Sequence, residues 1–283
     1  MIIAVASGKG GTGKTTIAVN MALALERVQF VDCDVEEPNA HIFLKPQLTK
    51  EILVTIPVPR VEDAKCTYCG RCAEGCEFNA LVVFPQTVLV FDQLCHGCGV
   101  CSYICPEGAI TEEGKEIGVI EMGNKDGIDF IHGRLHIAEP MATPIIRMEK
   151  SLMSKDGPVI LDAPPGTSCP VIETVKGSDF CLLVTEPTPF GLNDLRLTVD
   201  MLKKLGIPMG VVINRADVGN DEVRDYCHYE RIPVFLEIPL DKRIARLCSE
   251  GLPLIDELPE YKEKFINLYV QIEDCVHAKR GEK

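Results

Sequence analysis

The sequence predicts an α/β protein: a mainly parallel sheet flanked by helices, interrupted by one small α+β insert. Three observations carry this reading. Short apolar runs that end in an acidic or glycine-rich loop recur along the chain and alternate with helical periodicity, the pattern of a parallel sheet covered on both faces. The first of these runs leads directly into Gly8-Lys9-Gly10-Gly11-Thr12-Gly13-Lys14-Thr15. Between about Pro57 and Glu112 the alternation stops, and eight of the chain's 14 cysteines crowd into that stretch.

Taken in order, Ile2–Ala6 reads as a buried first strand and Gly8–Gly13 as a loop. Thr15–Arg27 places apolar residues at 17, 18, 21, 22 and 25, a helical period. Gln29–Asp32 is a second strand, ending in Asp32-Cys33-Asp34. Val159–Leu161 followed by Asp162 repeats the theme, as do Phe180–Thr185 and Gly210–Ile213. Asn193–Leu205 is a helix stopped by Gly206 and Pro208. Asp241–Glu250 is another, with Gly251 as its C-terminal cap, and Pro259–Val276 is a last amphipathic helix. Ile117–Met122 and Ile128–Ile137, separated by Gly123-Asn124-Lys125-Asp126-Gly127, form a β-hairpin.

Composition narrows the function classes. The 283 residues suit one large α/β domain, or one domain plus an insert. With 46% hydrophobic and 25% charged residues, the chain can build an ordinary core. A net charge of −13 without any basic block argues against nucleic acid as a partner. No apolar run approaches the ~18 residues of a membrane span, and Met1–Ser7 lacks the charged start of a signal peptide. The expectation is a cytoplasmic protein without a membrane anchor. Thiols stay reduced there, so the cysteines point to metal or redox chemistry rather than disulfides.

The glycine loop fits G-x-x-x-x-G-K-[ST]. Glycines let the backbone curl so that its N–H groups face phosphate oxygens, and the following helix directs its positive end at the anion. Lys14 reaches the β- and γ-phosphates, and Thr15 ligates Mg²⁺. Gly8, Lys9, Gly10, Gly11, Thr12, Gly13, Lys14, Thr15 and Thr16 thus form a phosphate-binding loop.

Lys9 within this loop resembles the extra lysine in the deviant loop of the MinD/ParA/Mrp superfamily, which includes the nitrogenase iron protein. The resemblance implies a P-loop NTPase fold and an ATP-dependent homodimer in which Lys9 crosses to the partner's nucleotide. Asp32-Cys33-Asp34-Val35-Glu36-Glu37-Pro38-Asn39 resembles the family's first switch. Asp34 would then position the attacking water beside Mg²⁺, supported by Asn39. Asp162-Ala163-Pro164-Pro165-Gly166 resembles the second switch. Asp162 would hold a Mg²⁺-bound water, and the Gly166 N–H would meet the γ-phosphate. Asn214-Arg215 resembles the adenine-reading pair, and Ile238-Pro239-Leu240-Asp241 the loop behind the base. The implied catalytic set is Lys9, Lys14, Asp34 and Asn39, and the implied Mg²⁺ set is Thr15, Asp34 and Asp162. Read singly, each aspartate could equally be a helix N-cap after a strand.

The cysteine stretch repeats at an offset of 29 residues. Cys66, Cys69, Gly70, Cys72, Cys76 and Ala80 recur as Cys95, Cys98, Gly99, Cys101, Cys105 and Ala109. Each run reads C-x₂-C-x₂-C-x₃-C, the spacing of bacterial two-cluster ferredoxins. That resemblance implies two 4Fe–4S clusters with exchanged fourth ligands: Cys66, Cys69, Cys72 and Cys105 for one, Cys95, Cys98, Cys101 and Cys76 for the other. Zinc is the competing occupant of such CxxC pairs. The second run ends in Cys105-Pro106 as in ferredoxins, while the first ends in Cys76-Glu77.

The chain as a whole therefore resembles MinD-superfamily ATPases with an inserted bacterial-type ferredoxin domain, residues 1–57 and 113–283 forming the ATPase and 58–112 the insert. Three functions remain open: an iron–sulfur-dependent ATPase that drives electron transfer to a redox partner, a carrier or assembly ATPase for clusters or metallocofactors, and a positioning ATPase with the clusters as a redox sensor. Cys33, Cys181, Cys227, Cys248 and Cys275 read as small hydrophobes. Cys169 lies at the offset from Asp162 at which the nitrogenase iron protein has a cluster ligand, and it reads as a core, surface or dimer-face thiol.

Overall fold

The computed structural model describes residues 1–281. β1 (Ile2–Ala6) passes through the glycine loop into α1 (Lys14–Leu25) and β2 (Val28–Asp32). A short α2 (Ala40–Leu44) precedes the long β3 (Gln47–Val61). The cysteine stretch follows, with α3 (Arg71–Glu74), β4 (Leu81–Phe84), β5 (Thr87–Val90) and α4 (Val100–Tyr103). β6 (Ile110–Lys125) returns and turns into β7 (Ile128–Leu135), then α5 (Thr143–Ser151). The remainder alternates: β8 (Val159–Asp162), α6 (Cys169–Val175), β9 (Phe180–Thr185), α7 (Pro189–Leu205), β10 (Met209–Asn214), α8 (Glu222–Glu230) and β11 (Val234–Ile238). Three helices close the chain: α9 (Lys242–Ser249), α10 (Leu254–Glu257) and α11 (Glu260–Gly281).

One sheet of nine strands runs in the order β11-β10-β9-β1-β8-β2-β7-β6-β3. β11 through β7 are parallel, as expected of strands joined by helical crossovers. The strands alternate their side chains between two cores. Ile3, Val5, Phe30, Phe180 and Leu182 face α1 and α11, while Ala4, Val31, Leu161 and Leu183 face the side of α5, α6 and α7. The apolar runs at Ile2–Ala6 and Phe180–Thr185 match β1 and β9 to the residue. α1 stops at Leu25, short of Arg27, because Glu26 turns left-handed at φ 64° and caps back to Ala22 O at 3.2 Å. α7 begins before Asn193 because Thr188 caps it, its hydroxyl accepting the Gly191 N–H at 3.0 Å, and Pro189 supplies a preset first turn.

The largest departure from the sequence reading is β3. It pairs antiparallel with β6 from Gln47↔Asn124 to Val61↔Ile110. Pro57 and Pro59 argue against a strand there, and the sheet tolerates them because β3 is its edge. The hairpin expected at 117–122 and 128–137 is present, but β6 starts at Ile110. β7 ends opposite Gly118. Beyond it, Thr55–Val61 and Ile110–Glu116 continue as a two-stranded ribbon past the C-terminal edge of the sheet, the edge that also carries the glycine loop. The ribbon runs through positions 57 and 112 without a break and carries the cysteine stretch at its tip.

β7 brings His132 level with Asp32 and opposite Glu121. His132 is buried, with Nε2 2.9 Å from Glu121 Oε2, and Arg134 Nε lies 3.0 Å from the same oxygen. The His41 ring stands edge-on at 5.2 Å. Burial pushes the His132 pKa down, with His41 and Arg134 adding to it, against the opposing pull of Glu121. The unfolded chain then binds the proton first, so stability falls as pH drops below about 6.5. We expect the urea midpoint to fall on acidification through that value, and His132→Gln to flatten the fall. An equal fall in the variant would assign the acid sensitivity to other groups.

Candidate functional site

The glycine loop sits where β1 ends, beside the ends of β8 and β2, the C-terminal edge at which parallel α/β sheets bind ligands. Gly13 has φ 90°, and a Cβ there would lie 2.5 Å from Asn214 Nδ2, so both conformation and space require glycine. Gly8 packs behind the loop, where a Cβ would fall 2.5 Å from Asp194 O.

Lys14 opens α1 and is buried. Its Nζ lies 2.7 Å from Asp162 Oδ1 and 3.4 Å from Thr15 Oγ1. Strand register sets Asp32 level with Asp162, so a second fully buried carboxylate stands beside this ion pair. Burial alone would push the Lys14 pKa down. Asp162, through charge and hydrogen bond, with help from Asp32 and Asp34, outweighs it and holds the ammonium charged. Burial and the neighbouring Asp162 push the Asp32 carboxyl up. Asp34 is raised to about 6, chiefly by burial, against the pull of Lys14.

Asp32 shapes the loop that follows it. Its carboxylate accepts N–H bonds from Asp34 at 3.2 Å and from Asn39 and Ala40 at 3.0 Å each, folding residues 34–40 around one side chain. Asp162 Oδ2 and Asn39 Oδ1 are buried acceptors without a hydrogen-bond partner among the described residues. An orphaned carboxylate oxygen near the Thr15 hydroxyl, with Asp34 close by, is an all-oxygen donor set of the kind Mg²⁺ takes. The Gly166 N–H donates to Ser7 O at 2.9 Å in this structure. To meet a phosphate it must exchange that acceptor.

At the other end, Asn214 Nδ2 donates to Thr12 O at 2.8 Å, and Asn214 Oδ1 accepts the Arg215 N–H at 3.0 Å. Between the ends lies a cleft of about 540 Å³. Residues 9–17, Asp34, Asn39, Pro165, Asn214, Arg215 and the 238–241 loop line it. Of the expected residues, 9–16, Asp34, Asn39, Asn214 and Arg215 thus line one cleft, of a volume that suits a nucleotide, while Gly8, Asp162 and Gly166 do not line it.

The cysteine stretch repeats in three dimensions as it does in sequence. Left-handed backbone at Tyr68, Gly70 and Asn79 recurs at Gly97, Gly99 and Gly108, each 29 residues on. Backbone N–H groups reach the sulfurs in the same pattern: Tyr68 to Cys66 and Gly97 to Cys95, both 3.4 Å, and Ala80 to Cys76 and Ala109 to Cys105, both 3.3 Å. Cys66, Cys69, Cys72 and Cys105 line one cavity, and Cys76, Cys95, Cys98 and Cys101 line another. Among the described residues no three His, Cys, Asp or Glu side chains form a site for a single metal ion. Four thiols around each cavity with N–H groups on sulfur form a donor set that fits an iron–sulfur cluster.

Comparison with known proteins decides the family. Residues 3–254 match the model of the CobQ/CobB/MinD/ParA nucleotide binding domain. The chain belongs to that family. It is 32% identical to an uncharacterised protein of Methanocaldococcus jannaschii, MJ0579, over 94% of this chain and 97% of the relative. It is 28% identical to the iron–sulfur cluster carrier protein of Rickettsia felis, over 91% of this chain and 67% of that protein. Among solved structures, the Pyrococcus horikoshii septum site-determining protein MinD, in complex with Mg-ADP, shares the fold. Its TM-score is 0.62 at 20% identity, covering 98% of both chains. Among the described residues no helix is long and apolar enough to cross a membrane.

Against that family background, three residues were not singled out by the sequence. Asp32 builds the switch-like loop. Cys248 places its sulfur 3.5 Å from Thr16 Oγ1 inside the cleft. Glu186 follows β9 as Asp162 ends β8, the same strand-then-acid signal, and binds two cations described below. Cys169 is an exposed thiol at the start of α6.

Proposed function

We propose that this MinD-type ATPase is an ATP-hydrolysing iron–sulfur protein in which nucleotide-driven pairing of two copies is coupled to electron transfer, through two 4Fe–4S clusters, to a redox partner protein. Residues 1–57 and 113–283 form the ATPase, and 58–112 the cluster-holding unit. The observation that carries the proposal is the sorting of eight cysteines into two cavities, each taking one cysteine from the other run. When bound, such clusters supply one-electron transfer.

The protein's own groups do the rest. The loop N–H groups and Lys14 take the phosphates, Thr15 and Asp162 hold Mg²⁺, and Asn214 and Arg215 face the base. Lys14 must exchange Asp162 for phosphate, and Gly166 must exchange Ser7 O. Both exchanges act on the segment leaving β8. Asp34 orients the attacking water with Asn39 beside it. The Asp34 loop is tied to the ribbon: Val35 O accepts the Leu135 N–H at 2.8 Å, and β7 pairs with β6. On the ribbon, Lys115 reaches Glu139 at 2.8 Å and Asp92 O at 3.5 Å, while Arg60 grips Asp92 at 2.9 and 3.0 Å, just before Cys95. Movement at the γ-phosphate side thus has a packed route to the cysteines.

Iron and acid-labile sulfide in anaerobically purified protein test the proposal. About eight of each per chain are expected, and zinc without sulfide overturns it. Asp34→Ala should keep ATP binding and hydrolyse about 100-fold more slowly or worse. Phosphate release under single turnover measures this, and a normal rate would remove Asp34 from the site.

A second reading, cluster carrier, is favoured by the Rickettsia relatives. It predicts that clusters leave the chain for an apo-acceptor protein, where the first reading predicts that they stay through many turnovers.

A further inference from the structure

Glu186 lies just past β9 with its side chain 7% exposed, and each of its oxygens faces a different cation. Lys9 Nζ stands 3.2 Å from Oε2, and Arg215 Nη1 stands 2.8 Å from Oε1. The two cations come from opposite ends of the cleft, one from the phosphate loop and one from the base end. They are not equally free. Arg215 adopts left-handed backbone at φ 52°, and its N–H is fixed on Asn214, which is itself bound to Thr12 O. The Lys9 side chain is 34% exposed and the Arg215 side chain 48%, so the difference between them lies in the backbone that carries each and not in exposure.

A buried carboxylate stripped of its cations is strongly unfavourable. Lys9 hydrogen-bonds Oε2, whereas Arg215 meets Oε1 as an ion pair without hydrogen-bond geometry, so when Lys9 leaves Glu186 still faces one cation. Lys9 is therefore the releasable partner of the pair.

We propose that Glu186 is a positioning residue that holds the Lys9 ammonium within its own subunit until nucleotide phosphates draw it away. Glu186 thereby sets the nucleotide concentration at which two copies pair. This rests on the nucleotide-driven pairing proposed above and gives it a threshold. The phosphates compete with one carboxylate for one ammonium, and the ammonium turns outward only when they win. An ion pair with one partner a third exposed is worth of order fivefold in such a competition.

Glu186→Gln tests this, because the amide keeps the shape and removes the charge. By analytical ultracentrifugation across an ATP series, the variant should pair at about fivefold lower ATP than the wild type. Glu186→Asp, which keeps the charge, should return toward the wild-type threshold. A merely structural role would instead raise the threshold and lower the melting temperature. The second readout does not need pairing. Acylation of Lys9 by an N-hydroxysuccinimide ester without nucleotide, followed by peptide mass spectrometry, should be several-fold faster in Glu186→Gln. Wild-type protein that never pairs would end the pairing reading, and the acylation rate would then decide on Glu186 by itself. Unchanged Lys9 labelling overturns the proposal.

Discussion

Lys14→Ala should lose ATP affinity by about 100-fold or more. In the proposed site the ammonium is the charge offered to the phosphates, and truncating one partner of a close buried charge pair costs several kcal/mol. Each ~1.4 kcal/mol is tenfold in affinity. The substitution has a second consequence, because the Lys14 ammonium pairs with Asp162 and its charge also acts on Asp32. Without it, the Asp32 carboxyl, already pushed up by burial and by Asp162, loses the opposing cation and is driven further toward its protonated form. Proton uptake by the folded state stabilises it as pH falls. Lys14→Ala should therefore be less stable than wild type at neutral pH, and the gap should narrow on acidification. Titration with a fluorescent nucleotide checks the first effect and urea melts at several pH values check the second. Wild-type affinity in the variant would place the phosphates elsewhere.

The crossed cysteine sets make an equally large prediction. Cys105→Ser should lose about half of the iron and sulfide, and so should Cys66→Ser. Because both cysteines line one cavity, the double variant should lose no more than either alone. Cys76 lines the other cavity, so Cys66→Ser with Cys76→Ser should lose nearly all of it. If each run instead held its own cluster, these two outcomes would be exchanged.

The nucleotide site was legible because its grammar is local. A strand, a glycine turn and a helix start lie within fifteen residues, and the acid at the end of β8 repeats the strand-then-acid pattern. The cysteine sets were legible from spacing and the offset of 29. The ribbon was not. β3 carries two prolines and opens on a polar stretch, and what makes it a strand is its pairing with β6, 49 to 77 residues away. The work of Asp32 was hidden for a similar reason: only strand register puts it against Asp162 and under residues 34–40. Glu186 joins residues that are 206 positions apart in the chain, Lys9 and Arg215, which no pattern of neighbours reports.

The coupling of the nucleotide site to the cysteine unit is the centre of the account. It is tested most directly by the reduction potentials of anaerobically purified protein, measured with and without a nonhydrolysable ATP analogue. The account predicts that the analogue shifts the potential of at least one cluster in the wild type and leaves it unmoved in Lys14→Ala. Potentials that stay the same in the wild type, at analogue concentrations shown to fill the cleft, would contradict it.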